Sequence, residues 1–239
     1  MSKKNSNPIP AHVAVICDGN RRWAKSHGWD VIKGHQYALD VIFEPLADKA
    51  AEMGIGFLTF WVFSTENWNR DKREVEALMN MFRKVFDEQV ARFNEKNIRV
   101  NHIGDLDGLP GDIQQKVRDG VEKTKDNTGL TLTFAMNYGG HDELTRAIKK
   151  IAAEAMARKV LPENIDEKLI SDHLDTAGMP EPDLIIRTSG EQRLSGFMSW
   201  QNNYAEFSFP KFHFPELTPE KFEGVIKEYG DRKRRFGAG

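Results

Sequence analysis

Apolar positions in this chain fall either in short unbroken runs or at steps of three and four residues, and the two patterns alternate from end to end. Val13-Ala14-Val15-Ile16-Cys17 is a run that breaks abruptly into Asp18-Gly19-Asn20-Arg21-Arg22. A run this short, bounded by a turn, reads as a buried strand. Trp23 to Lys33 is polar and punctuated by glycine, and a helical stretch follows from about His35 to Met53, with Pro45 predicting a kink or break inside it. Gly54 to Phe63 reads as a second strand, dense in aromatic residues, and Ser64 to Arg70 as a polar loop. Asp71 to Asn97 predicts the longest helix, with Val75, Leu78, Met79, Phe82, Val85, Phe86, Val90 and Phe93 on one face. That stripe suits either a filled core or the wall of an apolar tunnel.

The alternation continues. Strands are predicted at Ile98 to Ile103, Leu130 to Met136, Asp183 to Ile186 and Trp200 to Phe209. Helices are predicted at Pro110 to Asp126, Asp142 to Arg158, Ile165 to Leu174 and Thr218 to Phe236. Strands interleaved with helices predict an α/β fold: one domain with a mostly parallel six-stranded sheet flanked by helices. The pattern does not order the strands in space. Residues 1–11 are expected to be a flexible N-terminal segment and 12–237 the folded domain.

In a parallel sheet the loops after strands one, two, four and five reach the same edge, where ligands bind in open α/β folds. Those loops hold Asp18, Asn20, Arg21, Arg22, Ser64, Glu66, Asn67, Arg70, Asn137, Arg187, Arg193 and Ser195. Cations and hydrogen-bond donors outnumber carboxylates, an inventory that suits phosphate groups. Taken alone, Asp18-Gly19-Asn20 is equally an ordinary ion-paired turn.

Composition narrows the class without naming the reaction. The chain has 239 residues, 39% hydrophobic and 29% charged, with a formal net charge of -2, which gives no bulk attraction to nucleic acid. Its one cysteine, Cys17, excludes an internal disulfide, fits a reducing compartment and sits where a small buried residue is expected. No secretory signal and no apolar run of spanning length is present, so a cytoplasmic protein is expected. Gly54 and Gly56 precede their strand and lack a third glycine, which rules out a dinucleotide fingerprint. The sequence also lacks GxxxxGK[ST], HExxH, GxSxG and paired DDxxD boxes.

HVAVICDGNRRWA, the Gly34-His35 pair, FSTENWNR, NYGG, IRTSGEQRLSGFMSWQ, YAEF and the final RRFG together resemble the cis-prenyltransferase family, the undecaprenyl diphosphate synthase type of isoprenyl transferase. The resemblance runs in order from His12 to Gly237. It implies a Mg²⁺-dependent transferase that adds isopentenyl diphosphate to an allylic diphosphate, farnesyl or geranyl, and makes a polyprenyl diphosphate for a glycan or wall carrier lipid. It further implies that Asp18 and Glu206 hold Mg²⁺, and that Gly19, Asn20, Arg21 and Arg22, with His35 and Arg70, cradle the allylic diphosphate. Trp23, Ser64, Thr65, Glu66 and Trp68 would line that site, and Asn67 would assist proton removal. Arg187, Arg193, Leu194 and Ser195 would bind isopentenyl diphosphate. Homodimers are implied too, with RRFG reaching toward the partner's site, and so is peripheral membrane contact for product release.

The chain departs from the family pattern at Val31, where a basic residue is usual, and at Ala38, Gly196 and Asn202-Asn203. Two rivals follow from the same residues: a short-chain or head-to-middle condensing enzyme of the same fold, and a non-catalytic lipid-binding subunit. A phosphate-ester hydrolase on the same sheet edge is a third.

Overall fold

The computed structural model describes residues 8–232. Six strands form one sheet: β1 (His12–Ile16), β2 (Phe57–Ser64), β3 (Arg99–Ile103), β4 (Thr131–Tyr138), β5 (Leu184–Arg187) and β6 (Glu206–Ser208). Their spatial order is β3-β4-β2-β1-β5-β6, and every pairing is parallel. The sheet is therefore wholly parallel, and β1 lies inside it with its carboxyl end flanked by those of β2 and β5.

Nine α-helices connect the strands among the described residues: α1 (Asn20–Ser26), α2 (Val31–Val41), α3 (Phe43–Glu52), α4 (Lys72–Lys84), α5 (Val90–Glu95), α6 (Gly111–Thr124), α7 (Gly140–Met156), α8 (Glu167–His173) and α9 (Pro219–Gly230). Polar side chains start several of them. Asp30 accepts from Ile32 N at 2.9 Å, Asp71 from Arg73 N at 2.9 Å and Asp166 from Leu169 N at 2.8 Å. Each satisfies a donor that the first helical turn leaves unpaired.

Alternate residues along each strand enter two different cores, as the pleat requires. Val13, Val15, Leu58, Phe60, Leu132, Phe134, Leu184 and Ile186 pack on one face with residues of α2 to α6 and α9. Ala14, Ile16, Ala135, Ile185, Phe197 and Met198 pack on the other. This second layer also carries buried polar groups. His12 Nε2 meets Thr59 Oγ1 at 2.8 Å and its Nδ1 meets Pro180 O at 2.8 Å. Desolvation holds the His12 imidazole down at about 4.

Four elements differ from the sequence reading. The polar, glycine-punctuated stretch Trp23 to Lys33 is helical at both ends, with α1 running to Ser26 and α2 starting at Val31; a seven-residue helix is too short to show an apolar period. The long 35–53 stretch breaks at Ile42, so Pro45 falls in the first turn of α3, where its missing N–H costs no helical bond. The Asp71 to Asn97 helix is divided by a π-helical turn, Val85–Gln89, with Val85, Phe86 and Gln89 all buried. Finally, the strand expected from Trp200 to Phe209 is only Glu206–Ser208. Trp200 Nε1 instead donates to Ser171 Oγ at 3.0 Å, and Gln201 Nε2 to Glu143 Oε2 at 3.0 Å. Polar anchoring there overrides aromatic strand preference. The last helix, expected to run to Phe236, ends at Gly230 with Asp231 as its cap. Residues 1–7 of the N-terminal segment and the RRFG sequence lie outside the described residues.

Candidate active site

Asp18 follows β1, and neighbouring loops clamp its backbone. Its N–H donates to Ile16 O at 2.8 Å and to Thr188 Oγ1 at 3.1 Å; its carbonyl accepts from Thr188 Oγ1 at 2.6 Å and from Phe214 N at 2.9 Å. Gly19 then takes φ +101, and a Cβ there would lie 2.0 Å from Ser189 Oγ. Only glycine meets both conditions.

The Asp18 side chain lies between two guanidiniums. Arg187, buried at the carboxyl end of β5, donates to Asp18 Oδ2 from Nη2 at 2.9 Å and from Nε at 3.3 Å. Its third nitrogen reaches Arg193 O at 2.6 Å and Ser195 Oγ at 2.8 Å. One fork thus ties the loop after β1 to the loop after β5. Arg22 donates to Asp18 Oδ1 at 3.3 Å and to Glu191 Oε1 at 2.9 Å, while Arg193 pairs with Glu191 at 2.6 Å. Arg193 and then Arg22 hold the half-buried Glu191 carboxyl below its usual range.

A second carboxylate organises the opposite wall. Glu74, on the first turns of α4, is only 4% exposed and lies 3.0 Å from Arg70, 3.3 Å from His35 and 3.6 Å from Arg21. The His35 imidazole, followed by the Arg70 and Arg21 charges, holds its carboxyl below the usual range against the upward pull of burial. Sequence reasoning missed Glu74. The available signal was its position four residues after Arg70, the spacing of a helical ion pair.

Three cavities adjoin here. One of about 730 Å³ is lined by Asp18, Gly19, Asn20, Arg21, Arg22, Lys25, His35 and Arg70. A second of about 670 Å³ shares Asp18 and Arg70 and adds Ser64, Asn67, Arg187 and Ser195. The third, about 530 Å³, is apolar and lies beneath them, bounded by α2, β2, α4 and β4. Cys17, Asn20 and His35 line all three. Asn20 donates to Cys17 O at 3.0 Å, while its own amide oxygen is buried without a partner. Cys17 is half-buried, and burial with the neighbouring Asp18 charge pushes its thiol well up, which makes it a poor nucleophile. Lys25 is a further cation that the sequence reading did not select.

Not every expected residue comes to these cavities. Trp23 is buried instead against His27, Trp29 and Tyr37, with ring centroids 4.4, 5.3 and 4.6 Å away. Ser64 and Asn67 line the second cavity, whereas Thr65 packs beside Gly139 and Glu66 is exposed. Trp68 donates to Asn137 Oδ1 at 2.8 Å, and Leu194 packs on the second core. The Asn67 amide oxygen accepts from Ser64 N at 3.3 Å within a capping box. Of the cations near Val31, Lys33 is turned aside, its Nζ 4.0 Å from the Trp29 ring centre.

Glu206 requires a correction. It pairs with Leu184, which pairs with Val13, so it lies at the amino end of the sheet. Asp18 is five residues further along, about 16 Å at ~3.3 Å per residue. The chain's own Glu206 instead pairs with Arg232 at 3.0 Å, and the two carboxylates do not share an ion within one chain. The described residues hold no group of three or more His, Cys, Asp or Glu side chains able to bind a metal. What the donor set does fit is Mg²⁺ held by one carboxylate and substrate phosphates, the usual mode for that ion.

Two cationic cavities around one carboxylate, above an apolar cavity, define a protein for phosphorylated molecules with hydrocarbon tails. Residues 16–237 match the family described as "Putative undecaprenyl diphosphate synthase". The isoprenyl transferase of Rhizobium meliloti is 44% identical over 99% of this chain and 96% of its own length. The crystal structure of lavandulyl diphosphate synthase from Lavandula x intermedia, in complex with dimethylallyl diphosphate, superposes with a TM-score of 0.93 at 36% identity, covering 96% of this chain and 98% of that one. A chain described as "a probable undecaprenyl diphosphate synthase" from Campylobacter jejuni gives 0.77 at 32%, covering 97% and 100%. The chain belongs to the undecaprenyl diphosphate synthase family of isoprenyl transferases, the cis-prenyltransferases.

Proposed function

We propose that this chain condenses isopentenyl diphosphate with an allylic diphosphate, farnesyl or geranyl, lengthening it by five-carbon units in cis. The observation that carries this reading is the pair of cationic cavities meeting at Asp18 above an apolar one. The lavender relative's bound dimethylallyl diphosphate is itself an allylic diphosphate, which supports the substrate class. On this reading residues 12–237 are the catalytic domain.

The primer diphosphate occupies the cavity of Gly19 to Arg22, His35 and Arg70, and its hydrocarbon tail enters the apolar cavity. Isopentenyl diphosphate occupies the neighbouring cavity beside Arg187, Ser195 and Asn67, with Arg193 at its rim. Breaking the allylic C–O bond leaves a carbocation and pyrophosphate. Arg21, Arg22 and Arg70 stabilise the charge growing on the leaving group, inside a cleft where such interactions are strong. The isopentenyl double bond attacks the cation to form the new C–C bond, and loss of one proton restores a double bond. Asn67 is not a base at neutral pH; its capped amide orients the isopentenyl group, and the released pyrophosphate takes the proton. Asp18, together with the substrate phosphates, would hold Mg²⁺, which would supply further charge neutralisation.

The resemblance also supports a cytoplasmic homodimer with peripheral membrane contact for product release. Among the described residues no helix is long and apolar enough to cross a membrane. The exposed Phe207 lies on edge strand β6, and Ile148 and Met156 are exposed on α7; these are the groups a second copy would cover.

The test is incorporation of labelled isopentenyl diphosphate by the purified chain, with and without Mg²⁺. Asp18→Ala should lower turnover by roughly 10³-fold, the scale of losing a preorganised electrostatic group. Turnover equal to the parent's, with metal still required, refutes the assignment. Release of phosphate or pyrophosphate without chain growth would point to a hydrolase instead.

A further inference from the structure

The two polar cavities and the apolar one meet at Cys17, Asn20 and His35. On the reading proposed above, a diphosphate lies on one side of this junction and its hydrocarbon on the other. The carbon that ionises is the atom joining the two, so it lies beside these side chains.

Asn20 carries an oxygen that the fold leaves unused. Its Nδ2 donates to Cys17 O at 3.0 Å, and because a carbonyl can only accept, that contact fixes which end of the amide is which. The other end, Oδ1, is buried without a hydrogen-bond partner. Among the described residues only His35 Nε2 shares that condition at these cavities, and it has Glu74 Oε1 3.3 Å away. The Asn20 backbone is held as well: α2 packs so closely that a Cβ at Gly34 would stand 2.3 Å from the Asn20 carbonyl oxygen. A buried acceptor with no donor costs stability, and folding gains nothing from it. In a binding cleft it points to a partner that arrives with the ligand.

The chemistry of the ligands narrows that partner. An ionised diphosphate and a hydrocarbon offer no N–H or O–H, and phosphate oxygens are repelled by a carbonyl oxygen. An allylic carbocation is attracted to one, and at this junction it needs the help. Arg21, Arg22, Arg70 and Arg187 line the polar cavities and disfavour a positive carbon. The carboxylates of Asp18 and Glu74 are already engaged by those guanidiniums. The Cys17 thiol, held protonated by burial, offers no charge. A carbonyl dipole acts over several ångströms where water is excluded, so direct contact is not required. Being fixed beforehand, it needs no reorganisation when the C–O bond breaks.

We propose that the Asn20 amide oxygen stabilises the allylic cation rather than the diphosphate that leaves it. The C–O bond breaks with its electron pair going to pyrophosphate, and the positive carbon stays in the field of Oδ1 until the isopentenyl double bond attacks. Asn20 gains and loses no atom. This role rests on the condensation reaction proposed above.

Equilibrium binding separates a cation role from a diphosphate role. One probe is geranyl S-thiolodiphosphate, whose C–S bond does not ionise; it is measured with and without Mg²⁺. The other is an aza analogue of the geranyl cation, with a tertiary ammonium in place of the positive carbon, supplied together with pyrophosphate. Asn20→Leu is close in shape and lacks the dipole. It should bind the ammonium probe roughly 10- to 100-fold more weakly, the range for losing one polar partner of a charged group, and the thiolodiphosphate as the parent does. Asn20→Asp should bind the ammonium probe at least as tightly as the parent and the thiolodiphosphate less tightly, through like-charge repulsion. That variant carries the test if the leucine one does not fold. Unchanged ammonium binding by folded Asn20→Leu would overturn the proposal. So would its loss of thiolodiphosphate affinity, which would make Asn20 a diphosphate contact, or, if confined to Mg²⁺, a partner of metal-bound water. In each of these cases the condensation reading stands, whereas a parent protein that binds neither probe overturns the primer site as well.

Discussion

Arg187 shows how a single side chain can assemble a site from distant loops. Its three nitrogens satisfy Asp18, Arg193 O and Ser195 Oγ, so it fixes one side of the cleft while steadying the carboxylate. Glu74 has the equivalent task on the opposite side, where the proposed function places the primer diphosphate. Glu74→Gln removes the charge that Arg21, His35 and Arg70 surround, and a buried group stripped of its partner costs about 1–3 kcal/mol. The expected outcome is a lower urea midpoint together with a primer KM that rises more than kcat falls. His12 answers to pH instead. Its folded value of about 4 lies below the ordinary 6.5, so the unfolded chain binds the extra proton first. The stability this neutral imidazole contributes is complete above pH 6.5 and is lost as pH falls toward 4. Ring-nitrogen NMR should show His12 still neutral at pH 5.5; a normal titration near 6.5 would contradict its burial. Among site residues, Asp18, Arg21, Arg22, Arg70, Arg187 and Ser195 were legible because charged and hydroxyl groups cluster after predicted strands. Glu74 was not, since a first-turn glutamate on an amphipathic helix reads as solvated surface.

At the level of elements, the approach of α1 to α2 governs the cleft. Gly34 sits inside α2, where a Cβ would lie 2.3 Å from Asn20 O. The glycine before His35 is therefore a packing requirement of two short helices, and it leaves the Asn20 backbone at the cavity mouth. Gly34→Ala should cost about 1–3 kcal/mol by overpacking, measured by thermal or urea unfolding, and should lower activity through displacement of the Asn20 turn. Helix type was readable over α4, α6 and α7, and phase over α4, where steps of three and four persist. The sequence did not reveal the π turn at Val85–Gln89. An added residue in one turn leaves the apolar stripe buried on both sides of it and leaves no mark in the period.

Across the whole molecule, the parallel sheet brings the carboxyl ends of β1, β2, β4 and β5 to one edge, as alternation predicts, and Glu206 falls at the other edge. The same topology leaves β6 as an edge with Phe207 exposed, a feature that a second copy of the chain can cover. Sedimentation at micromolar concentration should give a dimer, and Phe207→Glu should shift it toward monomer; a monomeric parent protein would refute the dimer. The sequence alone determined the kinds of elements, the two-sided burial of the strands, the cationic, hydrogen-bonding character of the loops and the family. All of these depend on neighbours within a few positions along the chain, where backbone geometry sets the period and motif spacing sets the chemistry. Only the tertiary structure decided the strand order, the gathering of Arg21, His35 and Arg70 on Glu74, the separation of Glu206 from Asp18 and the depth of the apolar cavity. These are distances between segments far apart in sequence, and they exist only once helices and sheet have packed and side chains such as Phe86 and Phe134 have met.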